Sequence, residues 1–159
     1  MYKIGDYVVY NKDVCTVNDI VLKDNKEYYL LRPVEDPSLK MQVLIDNENI
    51  RELITTNELN DLINNIPNIE TITCDEKMLE YEYKQLLSNG NKEDIIKVIK
   101  TTYLRNKDRI LNKKKINLKD NEYLEKAEKL LYTEIGIVLN LTFEEVKNFI
   151  IKKVEELVA

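Results

Sequence analysis

The chain has 159 residues, 43% hydrophobic and 33% charged, which is enough for one ordinary domain or two small ones with packed cores. It contains no histidine and only three glycines, which removes the commonest general base, histidine-based catalytic triads and glycine-rich phosphate loops. We therefore expect a protein that is not an enzyme and has no cofactor, metal or small-molecule substrate; a small enzyme would need an unrecognised acidic metal site.

The first fifty residues have the pattern of short β-strands separated by turns. Aromatic and β-branched runs alternate with polar clusters, and Pro33 and Pro37 mark a loop because proline cannot donate to a strand ladder. Several short strands joined by tight turns indicate a small barrel or a strongly bent sheet. The predicted strands are residues 7–10, 14–22, 27–32, 41–45 and 50–53.

Five amphipathic helices are predicted after the strands. Two begin at capping boxes, Thr55–Glu58 and Thr142–Glu145, in which the side chains of a Thr and a Glu bind each other's backbone N–H groups. Gly90 and Asn140 should each end a helix, because both residue types tolerate the left-handed conformation at a helix C terminus. The three helices between the boxes are predicted to begin at Asp75, Asn91 and Asp120.

Apolar residues recur at three- and four-residue intervals along each predicted helix, which predicts a buried face on each. The sequence thus predicts an α+β fold, with a β domain at residues 1–54 and an all-helical domain at residues 55–159. The predicted faces are Leu59, Leu62 and Ile63; Leu79, Tyr83, Leu86 and Leu87; Ile95, Ile99, Thr102 and Tyr103; Leu124, Ala127, Leu131, Ile135 and Val138; and Val146, Phe149, Ile150, Val154 and Leu157.

The sequence gives no sign of export or of a membrane span. No apolar run approaches the roughly 20 residues that cross a bilayer, and the N-terminal residues lack the order of a signal peptide. We therefore expect a cytoplasmic protein without a membrane partner. Cys15 and Cys74 lack zinc or disulfide spacing, so we expect two buried or half-buried apolar side chains.

Positive charge is concentrated in one window of an acidic chain. The net charge is −5, yet residues 97–119 contain nine basic residues and only Asp108 as an acid. Basic side chains bind phosphates by releasing condensed counterions, which makes this window a candidate nucleic-acid contact. A solvated basic helix end that interacts with nearby acidic helices would have the same composition. The candidate DNA-binding residues are Arg105, Lys107, Arg109, Lys113, Lys114 and Lys115.

Several segments occur in an order that a known family shares. They are IGDYVVYNKDVCTVNDI, EYYLLRP followed by DPSLKMQVLIDNEN, IIKVIKTTYLRNKDR and NEYLEKAEKLLYTEIGIVLNLTFEEV. Their order and spacing resemble the CarD/CdnL family of bacterial RNA-polymerase-binding transcription regulators, especially the form found in Firmicutes. The resemblance spans almost the whole chain.

The resemblance implies a function for each domain. A Tudor-like or SH3-like β domain would dock on the β subunit of RNA polymerase through an exposed edge strand. The helical domain would contact promoter DNA weakly and largely without sequence specificity, through basic residues in the segment from Arg105 to Lys115, and would stabilise the open complex. The matching docking residues are Met41, Gln42, Val43, Leu44 and Ile45.

Two departures from the family pattern affect the expected contacts. The family often carries a tryptophan just before or within the first helix of its helical domain. The matching region here, about Ile72 to Met78, has no tryptophan and at most an apolar replacement such as Ile72 or Met78. The family's HG after the first strand is replaced here by the segment Lys12-Asp13-Val14. At the position where the family often has a basic residue on the docking strand, this chain has Leu44. The alternative is therefore a protein-only interaction module of the polymerase that has lost the DNA contact.

Overall fold

The structure is a computed structural model that describes residues 1–156. It divides into two compact units, Met1–Ile54 and Thr55–Ala159. An antiparallel five-stranded sheet forms the first unit, and the described part of the second contains helices only. The predicted α+β class is confirmed.

The sheet has the strand order β4-β3-β2-β1-β5, which places β4 and β5 at its edges. Every predicted strand is present, although the fourth ends one residue earlier than predicted and the fifth covers only two residues. The strands are β1 Tyr7–Tyr10, β2 Asp13–Lys23, β3 Lys26–Pro33, β4 Met41–Leu44 and β5 Ile50–Arg51.

A tight turn and a bulge shape the sheet around its small core. The turn between β2 and β3 consists of Asp24 and Asn25, whose φ angles of 52° and 62° match the twist of the flanking strands. The ladder shifts register between Val17 and Asp19, where one extra residue bends β2. The core residues are Val8, Cys15, Val17, Tyr29, Leu31 and Val43.

The second unit contains five α-helices and two short 3-10 turns within the described residues. The turns, Ile66–Asn68 and Glu76–Met78, lie between the first two helices. The helices are α1 Thr56–Asn65, α2 Leu79–Asn89, α3 Lys92–Leu111, α4 Leu118–Leu139 and α5 Phe143–Glu155.

Most predicted helix ends are confirmed by their hydrogen bonds. The Thr55 hydroxyl accepts from the Glu58 backbone N–H at 3.1 Å, and Asn91 accepts from the N–H of Glu93 at 2.8 Å. Thr142 and Glu145 form the complete capping box. Gly90 and Asn140 end α2 and α4 in the left-handed conformation.

Two predicted helix starts are wrong. The Asp75 side chain makes no capping bond, and a 3-10 turn separates it from the start of α2 at Leu79. Helix α4 begins at Leu118, because Asn117 accepts the N–H of Asp120 at 3.0 Å and thereby takes the capping position. The Asp120 side chain is left available for contacts within the fold.

The predicted helix faces are buried or half-buried with one exception. Phe149 is 39% exposed, because the buried stripe of α5 follows a strict four-residue spacing through Val146, Ile150 and Val154. Leu157 lies outside the described residues. Cys15 is buried as expected, whereas Cys74 is exposed, which corrects the expectation for that residue.

Candidate nucleic-acid and partner-binding surfaces

Helices α3 and α4 form an antiparallel hairpin. Lys92 Nζ lies 3.3 Å from Glu134 Oε1 at one end, and Arg105 Nε lies 2.9 Å from Asp120 Oδ2 toward the other. The link between the helices lies at this second end. Residues 109–118 at this end contain four basic residues and no acid, and we call them the α3–α4 corner.

Helix α3 ends in a Schellman motif that has lysine where glycine is usual. The Lys114 N–H donates to the Arg109 carbonyl at 2.8 Å, and the Lys113 N–H donates to the Ile110 carbonyl at 3.0 Å. Lys113 has a φ angle of 59°, the left-handed region that disfavours residues with a β-carbon. The chain therefore reverses direction at a strained residue within the basic segment.

Side-chain hydrogen bonds fix the rest of the corner. The nearly buried Asn106 accepts the Asn117 backbone N–H at 2.7 Å and donates to the Asn117 carbonyl at 3.3 Å. Arg109 Nε donates to the Lys115 carbonyl at 2.7 Å. The path of the link is thus set before any partner binds.

Arg105, the first candidate DNA contact, is occupied inside the fold. It bonds Asp120 as described, and Nη2 lies 2.9 Å from Glu76 Oε1. Asp120 is nearly buried and also accepts from the Tyr83 hydroxyl at 2.8 Å. Burial alone would lower the pKa of Arg105, but the hydrogen bonds to Asp120 and Glu76 raise it above its ordinary value.

Lys107 also has an internal partner. Its Nζ lies 3.2 Å from Glu155 Oε2, and the Tyr103 hydroxyl donates to the other oxygen of the same carboxylate. The hydrogen bonds from Tyr103 and Lys107 lower the pKa of Glu155. Burial, then the contact with Glu155, raises the pKa of Tyr103 to about 12. This cation is held against α5.

Lys100 shows how folding removes a charge from the surface. It is only 2% exposed, and its Nζ donates to three backbone carbonyls, including that of Ile66 at 3.0 Å. Burial lowers its pKa. The amine therefore closes the C-terminal end of the turn Ile66–Asn68 and does not face a partner.

The remaining candidates, Arg109 and the three lysines of the corner, have no acidic partner in the described part of the chain. Within residues 1–156, the side chains of Lys113, Lys114 and Lys115 make no hydrogen bond or ion pair, and Arg109 contacts only a carbonyl. All three lysines are exposed. The structure thus separates the six candidates into two that are internally paired and four that remain available.

The corner also exposes aliphatic side chains that the sequence reasoning missed. Leu111 and Leu118 are 72% and 77% exposed, and Ile110 and Ile116 are 59% and 39% exposed. The sequence does show that these apolar residues flank the lysine run on both sides. Their exposure is hard to predict, because apolar residues beside a predicted helix are normally assigned to the core.

Strand β4, the candidate docking strand, pairs with β3 alone among the described strands. The Ile45 N–H donates to the Glu27 carbonyl at 3.3 Å. Because backbone direction alternates along an antiparallel ladder, Val43 also directs its polar groups to β3, whereas Gln42 and Leu44 direct theirs away from β3. The Leu44 carbonyl accepts the Asn47 N–H at 3.0 Å, so the open edge consists of both backbone groups of Gln42 and the N–H of Leu44.

The side chains of the docking strand divide in the same way. Val43 is 4% exposed and belongs to the core, and Met41 and Ile45 pack against that core. Gln42 is exposed and Leu44 is half-buried. Of the five predicted docking residues, only Gln42 and Leu44 therefore offer both backbone and side chain to a partner.

The two apolar residues suggested in place of the family tryptophan lie outside the α3–α4 corner. Ile72 is half-buried, and its backbone N–H donates to the Thr101 hydroxyl at 3.0 Å. Met78, at the end of the second 3-10 turn, is 45% exposed. The exposed aliphatic residues of the corner are a separate feature.

No protein-family model and no curated protein matches this sequence. Among the described residues, no three cysteine, aspartate or glutamate side chains come together in a group suited to a metal ion. No described helix combines the length and the apolar character that crossing a membrane requires.

Proposed function

We propose that this chain is a cytoplasmic, non-catalytic transcription regulator of the CarD type. It binds the β subunit of RNA polymerase through β4 and promoter DNA through the α3–α4 corner, and it stabilises the open complex. In this proposal the five-stranded unit is a Tudor-like or SH3-like domain. The observation that carries it is the hydrogen-bonded corner, whose four cations have no carboxylate partner among residues 1–156.

The corner suits a weak contact with the DNA backbone. Lys113, Lys114 and Lys115 are exposed, and each can neutralise a phosphate without reading a base. Because the Asn106 and Arg109 hydrogen bonds already fix the link, binding would order little additional backbone. Attachment to polymerase would raise the effective concentration of the corner at the promoter.

The open edge of β4 suits docking by strand addition. An extended segment of the polymerase would pair with the outward N–H and carbonyl of Gln42 and with the outward N–H of Leu44. The exposed Gln42 side chain and half-buried Leu44 side chain would then set specificity. The resemblance to the CarD/CdnL family supports the polymerase β subunit as the partner.

The docking test is a Leu44→Pro substitution compared with Leu44→Val in pull-down of core polymerase. Proline removes an outward N–H and leaves the β3 ladder intact, so we expect Leu44→Pro to lose binding and Leu44→Val to retain it. Val43→Pro would remove a ladder bond and disturb the core. Wild-type capture by Leu44→Pro would exclude docking through this edge.

The DNA test replaces Lys113, Lys114 and Lys115 together with Gln. We expect the open-complex lifetime to fall to the value without the protein, while polymerase capture is unchanged. Lys129→Gln on α4, also exposed, is the matched control for charge loss outside the corner. An unchanged lifetime in the triple variant would exclude this DNA contact.

A protein-only module of the polymerase is the second candidate, and the internal pairing of Arg105 and Lys107 favours it because fewer cations remain for DNA. The two candidates differ in how promoter binding by the polymerase responds to salt. A DNA contact adds a salt-sensitive contribution when the protein is present, because bound cations release counterions. A protein-only module adds none.

A further inference from the structure

The α3–α4 corner exposes aliphatic side chains that a contact with DNA phosphates does not explain. Four of them lie within nine residues, led by Leu118 at 77% and Leu111 at 72% exposure. Single exposed apolar residues are normal, but such a concentration usually marks an interaction site. Phosphates bound by the neighbouring lysines would leave these side chains in water.

The charge around these aliphatic residues has a single sign. Arg109 and the three lysines lie among them, and residues 109–118 include no acid. The acids on either side are engaged locally: Asp108 accepts from Asn112 at 3.3 Å, and Asp120 holds Arg105 and Tyr83. A partner of this corner should therefore offer negative charge at its surface and apolar material directly beneath.

The shape of the corner restricts the partner further. Leucine side chains that are more than 70% exposed project into solvent and do not line a groove. A protein partner would need a concave apolar pocket of matching form, and duplex DNA presents charged phosphates outermost. A lipid bilayer has an anionic headgroup layer over acyl chains and deforms around a projecting side chain.

We propose that the α3–α4 corner binds the surface of a negatively charged lipid bilayer. Leu111 and Leu118 enter the acyl boundary, and the three lysines contact the headgroups. The association is peripheral, and it replaces the sequence-based expectation of no membrane partner, which considered only spanning segments. The inference goes beyond the proposed function. It uses the same lysines, so bilayer and DNA compete for the corner.

The first experiment uses the absence of tryptophan from this chain. Leu118→Trp places a single fluorescent reporter in the corner of the full-length protein, which is titrated with vesicles of phosphatidylglycerol or of phosphatidylcholine. We expect the emission to shift to shorter wavelength with phosphatidylglycerol only. Leu39→Trp, at a 50% exposed position in the first unit, is the control and should not respond. No shift for Leu118→Trp overturns the proposal.

The second experiment measures co-sedimentation of the unlabelled protein with the same vesicles. Replacing Lys113, Lys114 and Lys115 with Gln should reduce partitioning about fivefold per lysine. The double variant Leu111→Ser/Leu118→Ser should reduce it about tenfold or more, since both sites are exposed and their loss should not unfold the chain. Leu22→Ser, another highly exposed leucine, should bind like wild type.

Two results with the double leucine variant would overturn the inference. Unchanged partitioning in the vesicle assay would mean adsorption by charge alone. In a separate titration with duplex DNA, a loss of binding equal to the loss of partitioning would assign the leucines to DNA instead. Neither DNA nor polymerase is present in the vesicle assay, so failure of the lipid inference and failure of the proposed regulator are observed separately.

Discussion

The two ends of the basic window, residues 97–119, differ in what folding does to their charges. In the helical end, Lys100, Arg105 and Lys107 each bind carbonyls or carboxylates of the same chain. At the α3–α4 corner, Lys114 and Lys115 have no such partner within the part of the chain that the structure describes. A local charge of one sign therefore overstates what is available to a ligand, because folding brings in acids from distant positions.

The position of each cation along the hairpin explains the difference. Arg105 lies where α3 is packed, and there Glu76, Tyr83 and Asp120 converge from three other elements. At the corner, within residues 1–156, no carboxylate of another element pairs with Lys113, Lys114 or Lys115. Charges in the packed part stabilise the fold, and charges at the corner stay accessible to partners.

The largest effect is expected when the stability of Arg105→Gln is compared with that of Lys114→Gln. Removing Arg105 leaves the nearly buried Asp120 without its cation, so we expect a loss of about 2–3 kcal/mol in the free energy of unfolding. Lys114→Gln should change it by less than about 0.5 kcal/mol. Urea denaturation measures both. Equal effects would show that the two ends do not differ.

A second test compares how the same cations contribute to DNA binding. Replacing Lys113, Lys114 and Lys115 with Gln should reduce the slope of log affinity against log salt by about 2.7, or about 0.9 per phosphate contact. Arg105→Gln should leave the slope unchanged, since that guanidinium is engaged internally. Binding titrations on duplex DNA at several salt concentrations measure it. A lower slope for Arg105→Gln would make Arg105 a phosphate ligand.

The sequence predicted the elements of the fold better than the identity of the site. Strands and capping residues such as Thr142 follow from local chemistry, which short segments already contain. The partners of Arg105 could not be predicted, because they depend on three elements meeting in space. Asp120 is an example: the sequence predicts that α4 begins there, but Asn117 caps the helix and Asp120 binds Arg105.

A smaller test separates backbone strain from charge within the corner. Lys113→Gly removes the strain of a residue with a β-carbon in the left-handed conformation at the helix end, and should stabilise the fold by about 0.5–1 kcal/mol. Lys114→Gly removes the same charge at a position without positive φ, so it should destabilise by about 0.5 kcal/mol. Thermal unfolding of the two variants checks the opposite signs. A shared sign would mean that strain at Lys113 is not significant.

The smallest expected effect converts a paired cation into an available one. Glu155→Gln releases Lys107, and we expect about a twofold gain in DNA affinity at low salt, the size of one charge at about 10 Å in water. The pKa of Glu155 is lowered in the fold from its ordinary value of 4.5, so its ion pair stabilises the protein above that pH. This contribution is lost as the pH falls through the lowered pKa.

The same variant therefore has a pH signature that a simple change of surface charge would not give. Wild type should melt at a higher temperature than Glu155→Gln at neutral pH, and the difference should shrink below pH 4.5 and vanish as the pH falls through the lowered pKa of Glu155. Glu125→Gln, an exposed acid on α4, should show no such dependence. A constant difference across the pH range would mean that Glu155 does not hold Lys107, and the boundary between paired and available cations would then lie nearer to Arg105.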